Sequence, residues 1–270
     1  MQFYNNLLNC RIITIIPKIQ TMKNLFKSIA LIAVFAILIT SCSKKNDTPA
    51  DQETKAEQKD KVLAYIKSLG FSDAQIVEKG DRYIVDGDMV VDKNMEVPTD
   101  NGKIKTEQYY NGYLVTNSAN ILVKVDPSVT SMAAEIDAAI LQWNTVPNSK
   151  IKFVLTTGST YDILIKVDNT IGSSTCGQAY LSTSNGKAGS VVWINQELIK
   201  NNSFAQRTRT ITHEFGHTIS FRHTNQSTSI AVPGVGGTDA SSLMNGGQCG
   251  SGATVLSTKD KQATAVLYPL

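Results

Sequence analysis

The residues able to do chemistry are few and close together. The 270-residue chain holds three histidines, and all of them lie between positions 213 and 223: His213, His217 and His223, with Glu214 beside the first. The pattern is His-Glu-x-x-His, with the third histidine six residues further on. Residues i and i+4 of an α-helix sit one above the other, so His213 and His217 can present both imidazoles to one metal ion. Neutral imidazole suits Zn²⁺, and three protein ligands leave a fourth position for water. Such a metal lowers the water's pKa towards about 7, and Glu214 stands where it can take the proton as general base. No other histidine is present to act as base or as a substitute ligand. The chemistry expected of this cluster is metal-assisted hydrolysis.

A helix must carry the first two ligands, and the sequence predicts one over about Phe204–Ile219. Its apolar stripe is Phe204, Ile211, Phe215 and Ile219. At about 100° per residue, His213 and His217 project roughly opposite to that stripe, so the stripe can pack on a sheet while the histidines face a cleft. Strands are expected at Asn120–Asp126, Ile151–Leu155, Tyr161–Val167, Gly177–Ser182 and Ser190–Asn195, from their alternating or β-branched runs. A helix is expected over Ser131–Asn144, with Met132, Ile136, Ile140 and Trp143 on one face. A Gly-rich irregular stretch follows from Thr224 to Ala253. A last short helix starts at a capping-box-like Ser257 and Asp260. Strands alternating with helices give an α/β fold. Upstream, Lys61–Tyr113 forms a small region. It has a helix face of Val62, Ile66 and Leu69, a stop at Gly70, and a hairpin-turn dipeptide at Asp86-Gly87.

The N-terminus reads as targeting rather than fold. Lys23–Lys27 is followed by the apolar run Ile29–Ile39, which suits a signal-peptide core and falls short of the about 20 residues of a membrane span. Met22 opens the start-like stretch MKNLFK, and translation is expected to begin there. Ile39-Thr40-Ser41-Cys42 resembles a bacterial lipobox, with Cys42 as the lipidated residue. Ser43–Asp60 has no aromatic or large aliphatic residue and is expected to be a solvated tether. The chain is therefore expected to be an exported bacterial lipoprotein of the cell envelope, held at a membrane by its N-terminal lipid. The formal charge of +3 belongs to this segment. Residues 43–270 carry 22 bases against 23 acids, which gives no electrostatic footprint for nucleic acid, and no such partner is expected. In an oxidising compartment Cys176 and Cys249 are either a disulfide or two buried thiols.

These residues resemble the metzincin metallopeptidases, whose motif is HExxHxxGxxH followed by a Met-turn. Within that clan, HEFGHTISFRHT and SLMNGG look most like the bacterial dual-action HEIGH metallopeptidases. The resemblance covers about 150 residues well, and it implies a metzincin-like twisted mixed sheet with an irregular C-terminal subdomain. It carries His213, His217 and His223 as zinc ligands and Glu214 as general base. It also carries Met244 as the Met-turn residue beneath the metal. The implied activity is endopeptidase cleavage of protein or peptide substrates by residues 114–270. The alternative is a catalytically silent relative that binds peptides or partners. The clan's cleft is bordered by an edge strand that pairs with an extended peptide, and Ala179, Tyr180 and Leu181 are the candidates here. Two positions depart from the pattern. Ser220 replaces the Gly that turns the chain towards the third histidine, and Gly246 stands where some clan members have a tyrosine near the zinc. Finally, Tyr83–Met89 is similar to the aromatic-x-Gly-Asp segment of astacin propeptides, in which the aspartate takes the water's place at the zinc. Asp88 is either such a latency switch or, as the plainer reading of its residue types, a turn aspartate in an accessory region.

Overall fold

The computed structural model describes residues 49–97, 107–225, 230–236 and 238–270. The signal segment and Cys42 lie outside the described residues. The strands are β1 (Ile76–Lys79), β2 (Arg82–Val85), β3 (Met89–Asp92), β4 (Glu107–Tyr110), β5 (Ile121–Val125), β6 (Phe153–Thr156), β7 (Ile163–Val167), β8 (Gly177–Tyr180), β9 (Val191–Ile194) and β10 (Ile230–Gly236). The helices are α1 (Pro49–Ser68), α2 (Ala133–Asn144), α3 (Gln196–Ile199), α4 (Phe204–Thr218) and α5 (Thr258–Leu267).

The fold is α/β. One eight-stranded mixed sheet runs β1-β2-β3-β8-β9-β7-β5-β6, and β4 pairs with β10 in a separate two-stranded sheet. Strands β6, β5, β7 and β9 run parallel to one another, and β8 is antiparallel to β9. The main core lies between this sheet and helices α2 and α4. There Phe153 stacks on Phe215 at 5.0 Å between centroids, and the indole of Trp143 donates to the Thr212 carbonyl at 2.9 Å. That bond satisfies the one polar atom of a wholly buried tryptophan, as a buried indole requires.

Several expectations need correction. Residues 49–60 do not read out as tether: they form the first turns of α1, whose Ala, Glu, Gln and Lys are strong helix formers. Lys61 pairs with Glu57 at 2.6 Å along the same helix. The helix expected from Ser131 begins with a 3-10 turn over Pro127–Met132, capped by the Asp126 side chain, which accepts from the Ser128 N–H at 2.9 Å. Phe204 is 48% exposed and leaves the buried stripe, because it is the first residue of α4 and lies beyond the sheet. The stretch Thr224–Ala253 is not wholly irregular, since β10 lies within it. Its Pro and Gly residues hid the strand, and the register breaks between Ala231 and Gly236 as such residues would cause.

The largest difference concerns β8. Its residues Ala179 and Tyr180 were expected at a sheet edge, with Leu181 beside them. In this chain β8 is an interior strand, because β3 pairs with it in parallel, Met89 opposite Ala179 and Val90 opposite Tyr180. The Ala179 N–H donates to the Asp88 carbonyl at 3.0 Å, and the Leu181 N–H donates to the Val90 carbonyl at 3.1 Å. Leu181 itself lies one residue past the end of β8. The N-terminal region thus extends the main sheet. It brings its own core, in which Val62, Ile66 and Leu69 of α1 and its end pack on Tyr83, Val85 and Met89.

Cys176, next to the start of β8, is disulfide-bonded to Cys249 with 5.5 Å between Cα atoms. The bridge ties the sheet to the loop after Met244. It closes a 73-residue separation, for which the chain-entropy argument gives about 4 kcal/mol. A Cys176→Ser, Cys249→Ser double variant is expected to lose stability of that order in urea unfolding; an unchanged midpoint would show that the bridge does not constrain the unfolded chain.

Candidate functional site

Three imidazoles and one carboxylate converge beside α4. Ligand atoms of Asp88, His213, His217 and His223 all lie within 4.8 Å of one another. The Nε2 atoms of His213 and His223 are 3.2 Å apart. The helix supplies His213 and His217 at i and i+4, as its periodicity requires. His223 arrives after a sharp turn at Ser220, whose φ of +89° is in the left-handed region. Serine there costs on the order of 1 kcal/mol of backbone strain. Its hydroxyl offsets that strain by donating to Asn111 Oδ1 at 2.6 Å, while the Asn111 N–H donates to the Ser220 carbonyl at 2.9 Å. The departure from glycine at this turn is therefore compatible with the turn itself.

Each ring is held by its other nitrogen. Nδ1 of His213 faces the Leu243 carbonyl at 2.9 Å, and Nδ1 of His217 faces the Phe221 carbonyl at 2.8 Å. A carbonyl can only accept, so both Nδ1 atoms carry the proton and both Nε2 lone pairs point inward. Nδ1 of His223 lies 2.7 Å from Asp86 Oδ2. This is the outer-shell arrangement that fixes metal-binding histidines. Nε2 of His217 is buried with no hydrogen-bond partner, an arrangement that a metal ligand explains and a core histidine does not. The donor set therefore fits a zinc ion bound by His213, His217 and His223.

Met244 lies under the helix, fully buried. A Cβ on Gly216 would come 2.4 Å from the Met244 sulfur, so the helix must be bare between the two histidines for the turn to fit. A Cβ on Gly246 would come 2.3 Å from His223 Nδ1. That close approach leaves no room for a larger residue at 246. The turn is fixed from α5: Asp260 accepts from the Ser242 hydroxyl at 2.6 Å and from the Leu243 N–H at 2.8 Å, besides completing its own capping box with Ser257.

Glu214 is 2% exposed, and its Oε2 has no hydrogen-bond partner. Burial pushes its pKa well above the ordinary range, Asp88 adds to the rise, and Arg209 opposes it. Burial lowers the pKa of His213 and of His217, which keeps both neutral as ligands must be. His223 goes the other way. Burial pulls it down, but Asp88 and Asp86 outweigh burial and raise it to about 9.

Asp88 is a turn residue and a site residue at once. It closes the β2–β3 hairpin after Asp86 and Gly87, whose φ values of +52° and +94° make the turn. Its carboxylate lies 3.0 Å from Nε2 of His223, 3.6 Å from that of His213 and 3.7 Å from that of His217. Burial works against its ionisation, and His223 and His213 outweigh burial to hold its pKa low. The structure thus brings His213, His217, His223, Glu214 and Met244 together and, of the two readings of Asp88, places its carboxylate among the histidines while keeping it in the turn. Ala179 and Tyr180 of β8 run alongside.

A sequence model of the dual-action HEIGH metallopeptidases matches residues 83–266. The chain belongs to that family. As a family member it is a zinc metallopeptidase, and the match begins early enough to take in the hairpin that carries Asp88. No curated protein sequence matches the chain. Among solved structures, the crystal structure of myroilysin is 16% identical, covering 59% of this chain and 87% of that one at a TM-score of 0.41. High choriolytic enzyme 1, a hatching-enzyme zinc protease from the medaka fish Oryzias latipes, is also 16% identical. It covers 62% of this chain and 97% of that one at a TM-score of 0.39.

Sequence reasoning missed Asn111, Gly177 and Arg209, and of Asp86 and Asp260 it saw the hairpin turn and the capping box but not the His223 ring and the Met244 turn that they hold. Arg209 gave a usable signal, being one helical turn before His213 and so on the same face. Gly177 gave none. A Cβ there would come 2.6 Å from Glu214 Oε1, so β8 must be bare where the glutamate passes. Gly177→Ala is expected to displace Glu214 and cut peptidase turnover at least tenfold while bound zinc, measured by atomic absorption, stays stoichiometric. Unchanged turnover would show that Glu214 does not depend on this gap.

Proposed function

We propose that the chain is a zinc-dependent endopeptidase with Glu214 as general base, held latent by its own N-terminal segment. The observation that carries this reading is the inward convergence of three histidine Nε2 atoms beside a buried, unpartnered Glu214 oxygen. Zinc held by these histidines would supply a Lewis acid for the scissile carbonyl and bring a water's pKa towards about 7. Glu214 Oε2 takes the proton of the attacking water and hands it to the leaving amine. Its raised affinity for protons, caused mainly by burial, suits a group that must both accept and give one. The N–H groups of Ala179 and Leu181 position an extended substrate by strand addition.

The direction of the substrate follows from Glu214. The leaving amine belongs to the residue after the scissile carbonyl and must lie towards Glu214, which passes Gly177 at the start of β8. A productive peptide therefore runs antiparallel to β8. Strand β3 runs parallel to it. The segment fills the same hydrogen bonds in the reverse sense and presents no peptide bond correctly for cleavage. At the same time Asp88 puts a carboxylate among the three ligand nitrogens, where the attacking water is needed. Two devices, a reversed strand and an inserted aspartate, thus block one site.

We further propose that the protein is an exported bacterial lipoprotein, anchored at the cell envelope through Cys42 and acting on protein or peptide substrates. The lipobox-like Ile39–Cys42 and the signal-like run before it support this reading. No helix among the described residues is long and apolar enough to cross a membrane.

Three outcomes are expected. Glu214→Ala keeps its zinc and loses at least about 100-fold in peptidase turnover, the usual worth of a general base; retained turnover removes Glu214 from the mechanism. If the chain freed of its N-terminal segment by a cut between β3 and β4 binds peptides without cleaving them, a silent relative is the better description. Asp88→Ala raises the activity of the full-length chain on a peptide substrate, and activity no higher than wild type rules out the aspartate block. Mass spectrometry of the membrane-extracted protein shows a lipid-modified N-terminal Cys42, whereas an unmodified N-terminus in the soluble fraction excludes the anchor.

A further inference from the structure

A second cavity adjoins the histidines on the side that Glu214 lines. Its volume is about 320 Å³, and its wall includes Glu214, Gly177, Thr210, Gln248, the Cys176–Cys249 bridge and Arg209. Arg209 is 4% exposed. Its Nη2 donates to the Asn245 carbonyl at 3.0 Å, to Gln248 Oε1 at 3.0 Å and to the Leu243 carbonyl at 3.4 Å. Those bonds fasten one edge of the guanidinium to the loop around Met244. Every hydrogen bond of Arg209 among the described residues is made by Nη2, so Nε is buried without a partner and Nη1 is unbonded. Nε lies against Gly252, where an added Cβ would be 3.2 Å away. Nη1 is the nitrogen left for the cavity.

A buried guanidinium with half its donors unused is costly unless something completes it. Burial accordingly lowers the pKa of Arg209, and Glu214 and Asp88 act to raise it. Neither acid can complete the guanidinium and keep its own place, since Glu214 serves as base and Asp88 lies among the histidines. Nη1 is left to donate, and a carboxylate, anionic and acceptor-only, is the peptide group that completes such a charge.

We infer that Arg209 is a specificity-determining residue that binds a carboxylate of the substrate on the leaving side of the scissile bond. The side follows from Glu214, which must reach the leaving amine and which lines this cavity and not the apolar one under α1. This inference rests on the peptidase reading above. The carboxylate has two sources: an Asp or Glu side chain on the residue that follows the cut, or the free C-terminus of a short substrate. The chemistry is shared, and the cavity holds either.

The test uses the full-length, zinc-loaded Asp88→Ala chain. Peptides with an amidated C-terminus carry Glu, Gln, Leu or Lys just after the cut, and a second set carries a free C-terminus one or two residues beyond it. Glu is expected to exceed Gln by at least tenfold in kcat/KM if a side chain is read, and free acid to exceed amide by as much if a terminus is read. Arg209→Met should bring the favoured ratio close to one, and Arg209→Lys should restore part of it. The Glu-to-Gln comparison needs no arginine variant, so it stands even if Arg209→Met fails to fold. A direct readout accompanies it: binding of the same Glu and Gln peptide amides to the full-length zinc-loaded Glu214→Ala, Asp88→Ala chain, followed by fluorescence anisotropy. Cleavage without preference for either carboxylate overturns the inference and leaves the peptidase reading standing. Failure to cleave any peptide, both by this chain and by the same chain cut between β3 and β4, overturns the peptidase reading, and equal binding of Glu and Gln peptides then overturns the inference as well.

Discussion

The outward-facing nitrogens of three imidazoles govern the rest of this structure. Once the Leu243 and Phe221 carbonyls and the Asp86 carboxylate hold the Nδ1 atoms, the Nε2 atoms have one common direction left. Those three acceptors come from three different places: the Met244 turn, the chain just after α4 and the β2–β3 hairpin. Each place has its own anchor. Asp260 holds the Met244 turn from the last helix, Asn111 holds the turn at Ser220, and pairing with β8 holds the hairpin. Residues far apart in the chain are thus fastened to one small volume, as a preorganised site requires.

The same constraint explains the glycines around the centre. Gly177, Gly216 and Gly246 are not at turns with positive φ; each is small because a functional side chain passes where a Cβ would be. Glu214, Met244 and His223 respectively fill those spaces. Close packing at this density leaves no slack to absorb a methyl group without moving a ligand or the base.

Much of this was legible in the sequence. The helical spacing of His213 and His217, the strands from Ile121 to Ile194 and the capping box at Ser257 follow from local chemistry, which sequence displays directly. The left-handed turn at Ser220 followed from its place in the motif. What sequence hid was non-local. Nothing in Ala179-Tyr180-Leu181 shows that a strand ninety residues earlier would lie against it, since pairing partners are set by the whole sheet. Asp88 read by its residue types as a turn aspartate and by resemblance as a group at the metal, and the two readings are compatible because the turn that holds it also lies against α4. Strand β10 was masked by its own proline and glycines, and Arg209 by the helix around it, where an arginine is ordinarily a surface residue.

Strand β3 and its partner β8 are parts of one polypeptide, so they meet at an effective concentration set by the intervening chain and not by the amount of protein. Dilution cannot lower it, and a free peptide of ordinary affinity competes poorly against it. One break in the backbone between β3 and β4 changes the order of the reaction. The segment then becomes a separate molecule whose hold weakens as the solution thins.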